Sequence, residues 1–126
     1  MSEATGSQPE DHLPLTPAVS HIMLSLAEGD KHGYAIMREV EEMTDGHLTM
    51  GPGTLYGSIK RMLGAGLVEE TDPPPADEDE SERRRYYRLT GLGEKVLSAE
   101  MARLDAMVQA AAARRVVWKP RPQGAS

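Results

Sequence analysis

Pro52-Gly53-Thr54-Leu55-Tyr56-Gly57-Ser58-Ile59-Lys60-Arg61-Met62-Leu63 is the stretch on which the reading of this chain turns. Leu55, Ile59, Met62 and Leu63 recur at i, i+4, i+7 and i+8, one apolar stripe along a helix. The direction opposite that stripe falls on Gly57, flanked by Gly53, Thr54, Lys60, Arg61 and Gly64. Glycine at the centre of a solvent face is unusual, because inside a helix it costs about 1 kcal/mol relative to alanine. A missing side chain lets another surface approach the backbone closely, and Lys60 and Arg61 beside it favour a polyanion. The stretch therefore reads as a DNA recognition helix. The plainer alternative is an amphipathic helix with a few exposed charges.

Upstream, Thr16-Pro17 is a helix start, threonine as the cap and proline in the first helical position. Leu15, Val19, Ile22, Met23 and Leu26 form its buried stripe, and Glu28-Gly29-Asp30 ends it. His32-Gly33-Tyr34 begins a second helix carrying Ile36, Met37, Val40 and Met43, which Thr44-Asp45-Gly46 closes. Residues 47–51 lead into the recognition helix.

Downstream, Gly64-Ala65-Gly66 stops that helix. Leu67-Val68-Glu69-Glu70 and Arg85-Tyr86-Tyr87-Arg88-Leu89 read as the two arms of a hairpin. Residues 71–84 between them hold Pro73-Pro74-Pro75 and Asp77-Glu78-Asp79-Glu80, too long and too charged for a tight turn; a mobile acidic wing loop is expected. Thr90 can cap a last helix, in which Leu97, Met101, Leu104, Val108 and Ala111 follow each other at spacings of 4, 3, 4 and 3. That is a heptad seam. So narrow a seam on a terminal helix predicts pairing with a second copy of the chain, the alternative being that it packs on its own domain.

The order ααα-ββ-α is that of a mainly α (α+β) winged helix-turn-helix with a C-terminal dimerisation helix. The expected organisation is a disordered tail over residues 1–12, a winged-helix domain over 13–91, a dimerisation helix over 92–118 and a tail over 119–126.

The net charge of −6 runs against nucleic-acid binding until its distribution is considered. Residues 69–82 hold eight acids and no base, and residues 1–12 hold three acids and no base. Without those eleven, nine acids face fourteen bases, a basic body of +5. The chain has no cysteine, which removes thiolate chemistry and fits a reducing cytoplasm. The polar N-terminus does not read as a signal peptide, and no apolar run approaches the roughly 20 residues of a membrane span. His12, His21, His32 and His47 show no metal spacing. No nucleophile–base pair or phosphate loop stands out, so neither an enzyme nor a cofactor is expected.

Four motifs in register resemble the PadR-type transcriptional regulators: His32-Gly33-Tyr34-Ala35-Ile36; Gly53-Thr54-Leu55-Tyr56; Lys60-Arg61-Met62-Leu63-Gly64-Ala65-Gly66-Leu67-Val68; and Arg84-Arg85-Tyr86-Tyr87-Arg88-Leu89-Thr90 with Gly93 following. The resemblance covers about residues 15–97. It implies a winged-helix DNA-binding domain, dimerised through the C-terminal helix, that represses a neighbouring transporter or detoxification operon; a small-molecule effector or another signal would release it by changing the separation of the recognition helices. Members of that family commonly carry proline where this chain has Gly57. The short C-terminal region matches the small subclass with a single dimerising helix.

On this reading Thr54, Gly57 and Arg61 face base edges, where an arginine can bind guanine O6 and N7 and contribute about 1–3 kcal/mol of discrimination. Lys60 meets phosphate, and the Tyr56 hydroxyl points to phosphate from the edge of the apolar stripe. Lys31 and Tyr34 lie where exposed amides at the start of a helix favour anions, with a structural role for Tyr34 left open. Arg83, Arg84 and Arg85 either reach DNA from the wing or neutralise the acidic loop. The expected partner is a pseudo-palindromic duplex bound by a homodimer whose recognition helices lie about 34–36 Å apart. A winged-helix module that binds protein and not DNA is the competing reading.

Overall fold

The computed structural model describes residues 8–72, 85–116 and 118. Four helices and three short strands follow one another as α1 (Pro17–Leu26), β1 (Lys31–His32), α2 (Gly33–Met43), α3 (Pro52–Gly64), β2 (Val68–Thr71), β3 (Tyr86–Leu89) and α4 (Gly91–Ala113). This is a winged helix: α2 and α3 form the helix-turn-helix, and β2 with β3 form the stem of the wing.

Local chemistry sets most of the boundaries. The Thr16 hydroxyl accepts the Val19 amide at 3.2 Å and Pro17 opens α1, as the sequence leads one to expect. Thr90 caps α4 in the same way, its hydroxyl accepting from the Gly93 amide at 2.9 Å while donating to the Gly66 carbonyl at 2.6 Å. Helix α3 ends in a Schellman turn: the Leu67 amide reaches the Met62 carbonyl at 2.9 Å and the Gly66 amide reaches Leu63 at 3.1 Å, with Gly66 at φ 78°. Glycine adopts that left-handed conformation at no steric cost. Met62 and Leu67, both buried, close the apolar contact that accompanies such a turn.

The sheet has the order β1-β3-β2 and is antiparallel throughout. Lys31 pairs with Tyr87 and His32 with Tyr86 on one side of β3; Val68 pairs with Leu89 and Glu70 with Tyr87 on the other. Strand β1 is absent from the order ααα-ββ-α, because two residues give no periodicity to read. His32, expected to open α2, instead ends β1 and caps α2, its Nδ1 accepting the Ala35 amide at 3.2 Å.

Ile22, Met23, Ile36, Val40, Leu55, Ile59, Met62 and Val96 form one core shared by all four helices. Each fully buried aliphatic or Met side chain contributes about 1.5–3 kcal/mol relative to exposure. Leu97 belongs to this core at 7% exposure and Met101 packs against it, so the first part of the proposed dimer seam is spent within its own domain. Further along α4, Leu104 and Ala111 are half-buried, whereas Met107 and Val108 are 54% and 45% exposed. The helix extends beyond the body that covers its first half.

Two expected boundaries differ. Residues 9–12, placed in the disordered tail, form a single helical turn (Pro9–His12) against α4. The dimerisation helix expected over 92–118 ends at Ala113, where the Val116 amide returns to Ala111 at 2.9 Å and Arg115 takes φ 64°. The acidic wing loop lies outside the described residues except for Thr71 and Asp72, and the tail over 119–126 lies wholly outside them.

Candidate nucleic-acid interface

Helix α3 turns Leu55, Ser58, Ile59 and Met62 inward and leaves Gly53, Thr54, Tyr56, Lys60 and Arg61 exposed. At the start of the outer face, a β-carbon at Gly53 would meet nothing within 4 Å among the described residues. At Gly57, among the described residues, it would meet only Arg61, with Nη1 3.8 Å away. Arg61 therefore lies back along the helix across Gly57, and its Nη2 donates to the buried Ser58 hydroxyl at 3.3 Å. Ser58 is a residue that sequence reasoning passed over. Its only signal was its place one turn before Arg61.

The amino end of α2 stands next to this face. Tyr34 is exposed, its ring parallel to that of His32 and beneath the Arg38 guanidinium, 5.8 Å from the ring centre. Arg38 adds a cation that sequence reading missed; its position four residues after Tyr34 on one helix face was the available clue. Tyr56 leans from α3 onto Gly33, the first residue of α2. Burial pushes the Tyr87 phenol above its ordinary value; neighbouring Glu70 and Tyr56 raise it further, and Arg85 lowers it. Tyr56 thus stands where α2, α3 and β3 meet.

Lys31 is not part of this surface. Its ammonium donates to the Ser25 carbonyl at 2.7 Å and lies 3.3 Å from Glu39 and 3.8 Å from Glu28, with 18% of the side chain exposed. It ties the end of α1 to α2, and a phosphate would have to displace Glu39 and Glu28 to reach it. The pairing of β1 with β3 fixes this direction, and β1 was invisible in the sequence.

On the wing stem, Arg85 pairs with Glu70 at 3.2 Å and Arg88 with Glu69 at 2.7 Å, both across β2 and β3. Exposed pairs of this kind contribute little to stability, because solvent screens them. Arg83 and Arg84 lie outside the described residues. Among the described residues no group of His, Asp and Glu could hold a metal ion, and no helix is long and apolar enough to cross a membrane.

At the far side of the domain, the buried Glu100 carboxylate (2% exposed) accepts from Arg103 Nε and Nη2, each at 2.8 Å. Arg103 and the backbone amide of Leu15 hold this carboxyl below its ordinary range against the opposing effect of burial. The segment before α1 is so fastened to α4.

Residues 22–99 match the Transcriptional regulator PadR-like family. The chain is 37% identical over 90 residues to an uncharacterised 37.1 kDa protein in transposon TN4556 of Streptomyces fradiae, covering 69% of this chain and 24% of that protein. It thus spans about a quarter of the length of that relative. A transcriptional regulator from Clostridium thermocellum superposes with a TM-score of 0.64 at 25% identity, over 80% of this chain and 90% of the other. A PadR family transcription regulator from Clostridium difficile shares the fold with a TM-score of 0.66 at 24% identity, over 76% and 95% of the two chains. The chain belongs to the PadR-like family, whose members are transcriptional regulators and not enzymes.

Proposed function

We propose that this member of the PadR-like family binds double-stranded DNA as a homodimer and represses transcription, with α3 laid in the major groove. The observation that carries this reading is the outer face of α3, where exposed Arg61 and Lys60 border a backbone left bare at Gly53 and overlain at Gly57 by the movable Arg61 side chain. Arg61 reads bases, Thr54 and Gly57 allow close approach, and Lys60, Tyr34, Arg38 and Tyr56 grip phosphate on either side. Arg85 joins them by exchanging Glu70 for a phosphate.

The second half of α4 supports the dimer. Leu104, Met107, Val108 and Ala111 continue the buried face of the helix past the end of the domain. Pairing two such faces about a two-fold axis would set the α3 helices about one DNA turn, roughly 34–36 Å, apart. A ligand or other signal that alters that separation would release the operator; the family resemblance points to a neighbouring transporter or detoxification operon.

A salt titration of binding to the chain's own promoter and to scrambled duplex tests the reading. Tight promoter binding with a steep fall in affinity as salt rises supports it. Absence of binding to either duplex, with capture of a protein partner instead, would replace it with the protein-interaction reading.

A further inference from the structure

We propose that Gly33 is a positioning residue for DNA binding: it provides the seat on which Tyr56 of α3 lies across the amino end of α2, joining both helices of the helix-turn-helix into one grip on a phosphate. This rests on the DNA-binding reading above.

Gly33 is buried within the first turn of α2, and its backbone is not among those with positive φ. No conformational demand calls for glycine there, and alanine is the better helix former. The demand is spatial. A β-carbon at this position would fall on the Tyr56 hydroxyl oxygen, 2.7 Å from Cζ and 3.0 Å from Cε1. Any side chain at 33 therefore forces the end of the Tyr56 phenol to move from its seat.

Tyr56 itself is 45% exposed, so it is not a core residue that needs the seat in order to bury its ring. What the seat fixes is the position of a hydroxyl at the surface. That hydroxyl stands beside Gly33, the first residue of α2, where the helix dipole favours negative charge; the next residue, Tyr34, carries the Arg38 guanidinium over its ring. A phosphate held there touches α2 and α3 together, which fixes the angle at which α3 enters the groove. The Gly33-Tyr34 and Leu55-Tyr56 motifs, 22 residues apart, thus act as one unit.

The test uses the full chain as wild type, Gly33→Ala, Tyr56→Leu, the double variant and Tyr56→Phe. Each is measured for thermal unfolding and for binding to promoter duplex across a salt series. Gly33→Ala and Tyr56→Leu should each weaken binding several-fold and flatten the log–log salt dependence by about 0.9, the loss of one phosphate contact. The double variant should bind as Tyr56→Leu does, because the seat has no role once its occupant is gone. Tyr56→Phe keeps the ring and should show the flatter slope with an unchanged melting temperature. In unfolding, Gly33→Ala should be less favourable with Tyr56 present than with leucine there. Wild-type affinity and slope in Gly33→Ala, or additive losses in the double variant, would overturn the proposal. Failure of the wild type to bind duplex DNA would instead strike the DNA-binding reading, and the thermal cycle would still report whether the seat exists.

Discussion

The guanidinium of Arg61 lies back across Gly57, with Nη1 3.8 Å from the place a β-carbon at 57 would occupy. That is ordinary van der Waals contact, so the fold itself does not require glycine at this position. Gly57→Ala should accordingly stabilise the free protein by up to about 1 kcal/mol. Binding should move the other way, because a methyl group now stands between the α3 backbone and the groove. Melting temperature and duplex affinity, measured on the same preparation, check the two signs. A variant that is more stable and binds DNA as well as wild type would show that nothing approaches this face.

A pH dependence follows from Glu100. Its carboxyl is held below the ordinary glutamate range by Arg103 and the Leu15 amide. A depressed value in the folded state stabilises the protein above the unfolded value of about 4.3 and is lost as pH falls through the folded one. Glu100→Gln should lower stability near neutral pH by roughly 1.5–3 kcal/mol, the scale of hydrogen bonds to a charged group. The gap between variant and wild type should narrow as pH drops below about 4.3. Parallel unfolding curves from pH 7 to pH 3 would remove Glu100 from this account.

The α4 seam gives a prediction about assembly. Val108 is 45% exposed in the single chain, so Val108→Glu should leave the fold of one protomer intact. In a dimer it would bury an unpaired charge, which is strongly unfavourable. Sedimentation should show monomers with an unchanged circular dichroism spectrum and weakened promoter binding. A dimer that persists would place the interface elsewhere than the outer half of α4.

Much of this molecule could be read from local chemistry. Thr16-Pro17 and Thr90 announce their helices because a capping hydroxyl satisfies an amide that has no partner within the helix. The bare face of α3 was legible because a helix has one period, and that period put Gly57 opposite Leu55 and Ile59. Periodicity names a face, however, and not what covers it. Leu97 and Leu104 fall on one heptad seam, yet the first is in the domain core and the second stands at its edge. The ion pairs of Lys31 are illegible for a related reason: its direction depends on β1, a two-residue strand that exists only because β3 lies beside it. The end of α4 was misplaced because Arg115 adopts a left-handed conformation that its residue type disfavours. Arg38 and Ser58 were passed over because neither bears a motif. Their places beside Tyr34 and Arg61 follow from helical geometry once the functional face is known.

The central claim is that α3 reads DNA through Arg61, and affinity of wild type and Arg61→Ala for promoter and scrambled duplex tests it most directly. Arg61→Ala should lose about 1–3 kcal/mol on the promoter. Its affinity for scrambled duplex should fall much less, so the ratio between the two collapses. Equal promoter affinity for the two proteins, or equal losses on both duplexes, would contradict base reading by this helix.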